Sequence, residues 1–130
     1  MKRLLIPIVS TIALATLSTT QASAATQQML DGKGLLKRVV GNTIHFQSPA
    51  EDVYEFLAAD GSIHGESSLH GRYLARWRLF DEDSLCFQHD DPMASGCVAV
   101  LLKGAQLEFH RRDGVIEGPF DMLPGNPRKL

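Results

Sequence analysis

Short runs of alternating apolar and polar residues follow one another along most of the chain from Asn42 onward. The clearest run is Arg72 to Phe80, and its period of two predicts a β-strand with one apolar face. The apolar positions are Tyr73, Ala75, Trp77 and Leu79, and the opposite face includes Arg72, Arg76 and Arg78. We expect the apolar face to be buried and the middle of the arginine face to meet water.

Turn residues separate these runs. Asp60-Gly61 and Asp113-Gly114 are dipeptides favoured in two-residue hairpins, in which both central residues need positive φ. Lys103-Gly104 and the acidic residues 81–83 predict two more turns. The strands predicted between turns include Val53–Ala58, Ser62–Glu66, Leu85–Gln88, Cys97–Leu102, Gln106–Arg112 and Val115–Glu117.

Strands joined in sequence by short turns predict an antiparallel meander. Such a sheet must roll up or fold over to bury its apolar face and protect its edges. The expected fold is therefore all-β and mainly antiparallel. It is either a small meander barrel or a compact sandwich of about seven or eight strands, with a short N-terminal helix.

The short helix is predicted from its end signals. Asp31 stands at the N-cap position and Gly41 where the helix would end. The predicted apolar stripe consists of Leu35, Leu36, Val39 and Val40. We expect no regular structure in residues 25–32, and an irregular tail along the outside from Pro119 to Leu130.

The first 24 residues have the composition of a signal peptide. Lys2 and Arg3 precede an apolar run from Leu4 to Leu17, and Ala22-Ser23-Ala24 offers small residues for cleavage. A proline and several polar residues interrupt this run, which is shorter than the roughly 20 apolar residues that span a bilayer. An uncleaved anchor is therefore the weaker interpretation. We expect residues 1–24 to be removed and residues 25–130 to form one β-rich domain, without stable membrane insertion.

Cys86 and Cys97 are the two cysteines of the chain. An even number of cysteines in an exported protein usually means a disulfide. The loop over residues 89–96 would let the two residues face each other across a hairpin. Two thiols at this spacing make neither a zinc site nor a C-x-x-C redox pair. We therefore expect a structural disulfide.

The charge pattern narrows the choice of partners. The chain has 15 Asp and Glu against 13 Lys and Arg, and two of the basic residues leave with the signal peptide. This mild acidity argues against nucleic acid as a partner. The predicted arginine face, together with Arg111 and Arg112, forms a basic stripe that could receive a carboxylate, a phosphate or an acidic protein surface. Ordinary solvent exposure is the alternative.

No catalytic or metal-binding motif is evident. The five histidines are His45, His64, His70, His89 and His110. None lies in an H-x-H or H-E-x-x-H spacing, so scattered surface histidines are favoured over a metal site. Ser67 and Ser68 lack a nucleophile-elbow motif, and the acidic clusters lack a calcium loop. We assign no catalytic residue, no metal ligand and no cofactor, and a non-enzymatic role is favoured over an enzymatic one.

The chain resembles a group of small exported proteobacterial proteins of unknown function. The elements that carry the resemblance are Gly41-Asn42-Thr43, Asp60-Gly61, Trp77, Leu85-Cys86, Gly96-Cys97 and Gly125-Asn126. Ala75 stands where that group has the glycine of a G-x-W element. The resemblance implies a disulfide-containing β domain that is periplasmic or secreted in a Gram-negative bacterium. There is a looser similarity to lipocalin-like barrels, in which a tryptophan packs under an arginine.

These observations favour a binding protein of the bacterial envelope. The ligand is either a small molecule in a barrel-like pocket or an envelope protein. The candidate ligand-binding residues are Tyr73, Trp77, Phe87 and Phe109 as walls, and Arg76, Arg78 and Arg111 as contacts to an anion. Two alternatives remain open at this point. The protein could be an inhibitor that acts through the loop at residues 89–96, or a small histidine-dependent metal-binding protein or hydrolase.

Overall fold

The alternating runs of the sequence form strands. A computed structural model describes residues 26–130, and the predicted signal peptide lies outside these residues. The strands are β1 (Gln27–Met29), β2 (Thr43–Gln47), β3 (Asp52–Leu57), β4 (Ser62–Ser67), β5 (Gly71–Phe80), β6 (Ser84–Gln88), β7 (Gly96–Lys103), β8 (Gln106–His110) and β9 (Ile116–Leu123). Helix α1 (Gly32–Arg38) follows β1, and a single 3₁₀ turn (Pro92–Ala94) lies between β6 and β7.

Strands β2 to β9 close into an eight-stranded antiparallel barrel. Each pairs with the next strand in the chain, and β9 returns to pair with β2, with Leu123 opposite Thr43. The prediction of an all-β meander is confirmed, and closure selects the barrel over the sandwich. Closure also leaves less exposed strand edge than an open meander of this size would present to solvent.

The period of two sorts side chains between the inside and the outside of the barrel. In β5, Ala75 is buried and Tyr73, Trp77 and Leu79 pack against the core, while the arginines between them are exposed. Side chains from other elements complete a fully buried nucleus, among them Leu35, Ile44, Leu57, Ile63, Leu85 and Leu107. The core therefore fills the barrel interior at the level of these residues.

Helix α1 closes one end of the barrel, which we call the closed end. The Asp31 side chain accepts a hydrogen bond from the Gly34 amide at 2.7 Å, as an N-cap does. Leu35 and Val39, four residues apart on one helix face, are fully buried in the core. The predicted apolar stripe was too wide, because Leu36 is 50% exposed and points away from the barrel.

The Cys86–Cys97 disulfide is present, which confirms the predicted pairing. The two residues lie directly opposite each other on β6 and β7, with their Cα atoms 3.9 Å apart. The bond lies on the outer face of the barrel, because the neighbouring residues Leu85, Phe87 and Val98 point inward to the core. It fastens the two strands at the point where the loop 89–95 leaves them.

Two segments predicted to be irregular are strands. Residues Gln27–Met29 pair with the end of β7, beyond the point where β6 stops pairing, and Leu30 anchors them in the core. The tail prediction was wrong from Pro119 to Leu123, which belong to β9. Pro119 is tolerated because it lies in a register shift between β8 and β9, where a ladder hydrogen bond is not required.

The two Asp-Gly turns differ in detail from the prediction. In each, a three-residue loop is closed by a hydrogen bond, from the Ala58 amide to the Ser62 carbonyl and from the Arg111 amide to the Val115 carbonyl. Only the glycines have positive φ, which is 90° for Gly61 and 87° for Gly114. This geometry matches the three-residue hairpin that ends in a left-handed glycine.

The last residues pack along the outside of the barrel. The Thr43 hydroxyl donates to the Gly125 carbonyl at 2.7 Å, and Arg128 forms an ion pair with Glu66. The Arg128 guanidinium lies 4.2 Å from the centre of the Tyr54 ring. Within residues 26–130, no helix is long and apolar enough to cross a membrane.

Candidate ligand-binding cavity

The barrel is hollow at the end opposite α1, which we call the open end. The connections at this end are residues 48–51, 68–70, 89–95 and 111–115. They surround a cavity that continues over the rim onto the outer face, where Leu74, Phe80 and Cys97 line it, and its whole volume is about 980 Å³. Interior side chains that line it are Phe46, Val53, Glu55, Ser67, Tyr73, Phe87, His89, Phe109 and Phe120. Most of this surface is apolar.

Four phenylalanines form a continuous aromatic wall. Phe46 lies against Phe120 with ring centres 4.6 Å apart, and Phe120 lies against Phe109 at 5.0 Å. Phe109 continues to Phe87 at 5.4 Å. The tilted and edge-to-face contacts are those favoured by aromatic quadrupoles. The rings hold one another in place, so this wall is largely preformed.

The cavity also reaches the surface at one side of the barrel. Strand β6 pairs with β5 only over Arg76–Phe80, so the first half of β5 has no strand partner on that edge. The loop 89–95 passes there instead, and the exposed side chains of Leu74 and Met93 line this part of the pocket. The side opening is therefore bordered by apolar side chains rather than by a neighbouring strand.

A buried carboxylate lies among the apolar walls. Glu55 is on the inward face of β3 and is only 4% exposed. Its Oε1 accepts a hydrogen bond from the Tyr73 hydroxyl at 2.6 Å and lies 2.7 Å from Nε2 of His89. Because a carboxylate only accepts, Nε2 of His89 carries the proton in this contact. Burial of a charged group is costly unless it is paired in this way.

This contact changes the acid–base properties of both donors. The hydrogen bond to Glu55 raises the pKa of His89 above its ordinary value, although burial acts in the opposite direction. The backbone of Ala94 raises the pKa of His89 further. Nδ1 of His89 is buried and makes no hydrogen bond of normal geometry with residues 26–130. Burial, followed by the charge of Glu55, raises the pKa of Tyr73 far enough to keep its hydroxyl protonated.

A pH dependence of stability follows from His89. Its folded-state pKa lies above the ordinary 6.5, so the stabilisation is complete below that pH and is lost as pH rises through the folded-state value. We expect the free energy of unfolding to fall as the pH rises above about 6.5, and to fall less in a His89→Gln variant. Urea titrations of both proteins over this range measure the difference. Equal pH dependence in the two proteins would contradict the proposed Glu55–His89 pair.

Gly65 makes room for Tyr73. These residues are opposite each other on β4 and β5, and both face the interior. A Cβ atom built on Gly65 would lie 2.2 Å from Cζ of Tyr73, well inside contact distance. The absence of a side chain at this position therefore lets the Tyr73 ring lie flat over β4 and reach Glu55.

Ser67 fixes the turn at the rim of the cavity. Its hydroxyl donates to Glu51, and its oxygen accepts from the amides of Leu69 and His70, each at 3.1 Å. The side chain is thus buried with all its hydrogen-bonding groups engaged. This network holds a second carboxylate, that of Glu51, at the mouth.

The predicted ligand-binding residues fall into three groups. Tyr73, Phe87, Phe109 and Arg111 line the cavity. Trp77 lies deeper, and its Nε1 donates to the Ala58 carbonyl at 2.7 Å near the closed end. Arg76 and Arg78 project from the outer face of β5 because inward and outward positions alternate. They do not line the cavity.

Glu55, His89 and Gly65 were not predicted as ligand-binding residues from the sequence. A signal for Glu55 exists, because Val53, Glu55 and Leu57 share one face of a predicted strand and a carboxylate there interrupts an apolar row. His89 had no comparable signal, since its contact with Glu55 joins residues 34 positions apart. Nor does the sequence reveal that Gly65 faces an aromatic ring.

The geometry defines a closed antiparallel barrel with an aromatic, partly acidic interior cavity that is open at one end. In residues 26–130, no group of three or more His, Cys, Asp or Glu side chains is arranged to hold a metal ion. Comparison with known proteins finds no matching family model, curated protein or solved structure.

Proposed function

We propose that this protein is a non-enzymatic binding protein that holds a small, largely apolar ligand inside the barrel. The observation that carries this proposal is the cavity at the open end. Its volume, about 980 Å³ including the part that lies on the outer face, is at the upper end of the roughly 300–1,000 Å³ typical of small-molecule sites. Apolar walls with a few convergent polar groups are also characteristic of such sites.

The contrast between the two ends of the barrel supports the proposal. Protein interiors are normally close-packed. At the closed end, Leu57, Ile63 and Leu107 are fully buried around α1, as that rule requires. At the open end, aromatic side chains face an unfilled space instead. An apolar space of this size loses dispersion contacts that a ligand would restore.

We also propose that the protein acts in the periplasm or outside the cell. The signal-like composition of residues 1–24 supports export, and the Cys86–Cys97 disulfide is consistent with an oxidising compartment. N-terminal sequencing of protein recovered from the periplasm tests this, because cleavage after Ala24 leaves Ala25 as the first residue. Protein that retains Met1 and stays in the cytoplasmic fraction would contradict it.

Filling the cavity is expected to weaken ligand binding. Val53 points into the cavity, so Val53→Phe adds a ring to the space that a ligand would occupy. We expect n-decanol, measured by isothermal titration calorimetry, to bind the wild type and to bind Val53→Phe at least about tenfold more weakly, since each 1.4 kcal/mol is a factor of ten.

The matched control is Val115→Phe. This substitution adds the same ring at a half-exposed position in the β8–β9 turn. It is expected to leave decanol binding unchanged. Absence of decanol binding to the wild type, or equal binding to both variants, would contradict a ligand site inside the barrel.

A further inference from the structure

One oxygen of the Glu55 carboxylate is left available to a ligand. Both protein contacts, from Tyr73 and from His89, go to Oε1. Oε2 makes no hydrogen bond with any residue of the described chain, 26–130. In residues 26–130, the fully buried side-chain nitrogen or oxygen atom that lacks a hydrogen bond is Nδ1 of His89. Oε2 of Glu55 also lacks a hydrogen bond, so it is not fully buried and retains access to the cavity. A carboxylate oxygen in this state accepts a hydrogen bond from a ligand donor.

The charges around the mouth are predominantly acidic. The acidic side chains that line the pocket are Glu51, Glu55, Asp90, Asp91, Asp113 and Glu117. The two arginines of the lining are already paired. Arg111 lies 3.2 Å from Glu117 and 3.5 Å from Asp113, and Arg112 contacts Asp81 at 3.4 Å. The other basic side chains of the lining are His70 and His89, and Nε2 of His89 already contacts Glu55. The cavity therefore presents an excess of negative charge.

The aromatic wall suits the same ligand charge. The faces of phenylalanine rings carry negative electrostatic potential and attract cations when water is excluded. On β2 and β3 the wall lies one interior position nearer the open end than Glu55, because Phe46 is opposite Val53 while Ile44 is opposite Glu55. At its other end, the Phe87 ring centre lies 6.3 Å from that of His89, which contacts Glu55. A ligand with a carboxylate or phosphate group would be repelled by Glu55. The lining residues offer it no unpaired arginine or lysine in compensation.

We infer that the cavity selects an apolar molecule that carries a primary amine, with the ammonium group bound to Oε2 of Glu55 and the hydrocarbon against the phenylalanine wall. This inference rests on the proposed function, because it requires that the cavity bind a ligand at all. It adds the chemical class of that ligand. The ammonium supplies the missing donor to Oε2 in a charge-assisted hydrogen bond.

The test uses three probes with the same ten-carbon chain and different head groups: n-decylamine, n-decanol and decanoate. Each is titrated into the purified, oxidised protein by calorimetry, below the concentration at which it forms micelles. We expect decylamine to bind at least about tenfold more tightly than decanol, and decanoate to bind most weakly, because hydrogen bonds to charged groups are the stronger ones. Decanoate binding as tightly as decylamine would overturn the inference, and this comparison needs no variant.

A Glu55→Gln variant tests whether the charge of Glu55 causes the preference for decylamine over decanol. The amide keeps the shape of the side chain and an acceptor for Tyr73, but it removes the charge. We expect decylamine and decanol to bind this variant within about threefold of each other, with decanol affinity unchanged. The matched control is Glu82→Gln, which removes the same charge from an exposed turn at the closed end and is expected to retain the preference.

The outcomes separate the two proposals. If none of the three probes binds the wild type, both the proposed function and the inference fail. If decanol binds but decylamine shows no advantage, only the inference fails. A preference for decylamine that survives in folded Glu55→Gln, verified by circular dichroism, would also overturn it.

Discussion

Replacing both cysteines by alanine is expected to lower the free energy of unfolding by about 3 kcal/mol, the value for a closed loop of this length. The bond between Cys86 and Cys97 closes a short loop in the unfolded chain, with a sequence separation of 11, and so removes conformations that the unfolded state would otherwise populate. A loss of this size is a large fraction of the stability of a typical domain. Urea unfolding followed by circular dichroism measures it.

The control for this prediction leaves the sequence unchanged. The wild-type protein in a thiol reductant is expected to unfold at the same urea concentration as the double variant. Because the bond fastens β6 to β7 beside the loop 89–95, its loss is also expected to weaken decanol binding. A double variant as stable as the oxidised wild type would contradict a structural role for the disulfide.

Gly65→Ala is expected to have a comparable effect on stability for a different reason. The new Cβ would lie 2.2 Å from the Tyr73 ring, so the ring must move. Overpacking of this kind costs about 1–3 kcal/mol. Movement of the ring also breaks the 2.6 Å hydrogen bond to the buried Glu55, which adds about 1.5–3 kcal/mol. We expect a total loss of about 2.5–6 kcal/mol, measured by urea unfolding.

A double-mutant cycle with Tyr73→Ala tests this explanation. The backbone of Gly65 does not have positive φ, so alanine is compatible with its conformation. In the Tyr73→Ala protein, where no ring occupies the space, Gly65→Ala is expected to change stability by less than about 0.5 kcal/mol. If Gly65→Ala is equally destabilising in both backgrounds, the contact with Tyr73 is not the cause.

Local patterns were sufficient to predict most of the strands. Alternation over Arg72 to Phe80 and the glycine-containing turns depend on neighbouring residues, and β5 and the Asp-Gly hairpins form where those signals lie. Closure of the barrel depends instead on pairing between Thr43 and Leu123 at opposite ends of the domain. Periodicity carries no information on such a contact, so barrel and sandwich remained equal alternatives.

Two strand segments without a clear alternation escaped prediction for the same reason. The three residues of β1 are exposed and lie in a polar segment, and only their pairing with the end of β7 makes them a strand. Pro119 is usually a sign against a strand, yet the register shift between β8 and β9 accommodates it. In both segments, tertiary context outweighs local preference.

The candidate site was predicted in part. Tyr73, Phe87 and Phe109 were selected as wall residues, and the structure places them around the cavity. The polar centre was missed, because Glu55 and His89 meet only when the barrel curves β3 towards the end of β6. The arginines of β5 were proposed as ligand contacts on grounds of charge, but strand alternation places them outside.

A crystal structure of the protein grown with n-decylamine tests the ligand site most directly. We expect the alkyl chain to lie against Phe87 and Phe109 and the nitrogen to lie within hydrogen-bonding distance, about 2.7–3.2 Å, of Oε2 of Glu55. An interior filled by rearranged phenylalanine side chains, with decylamine absent from the barrel, would contradict a ligand-binding cavity.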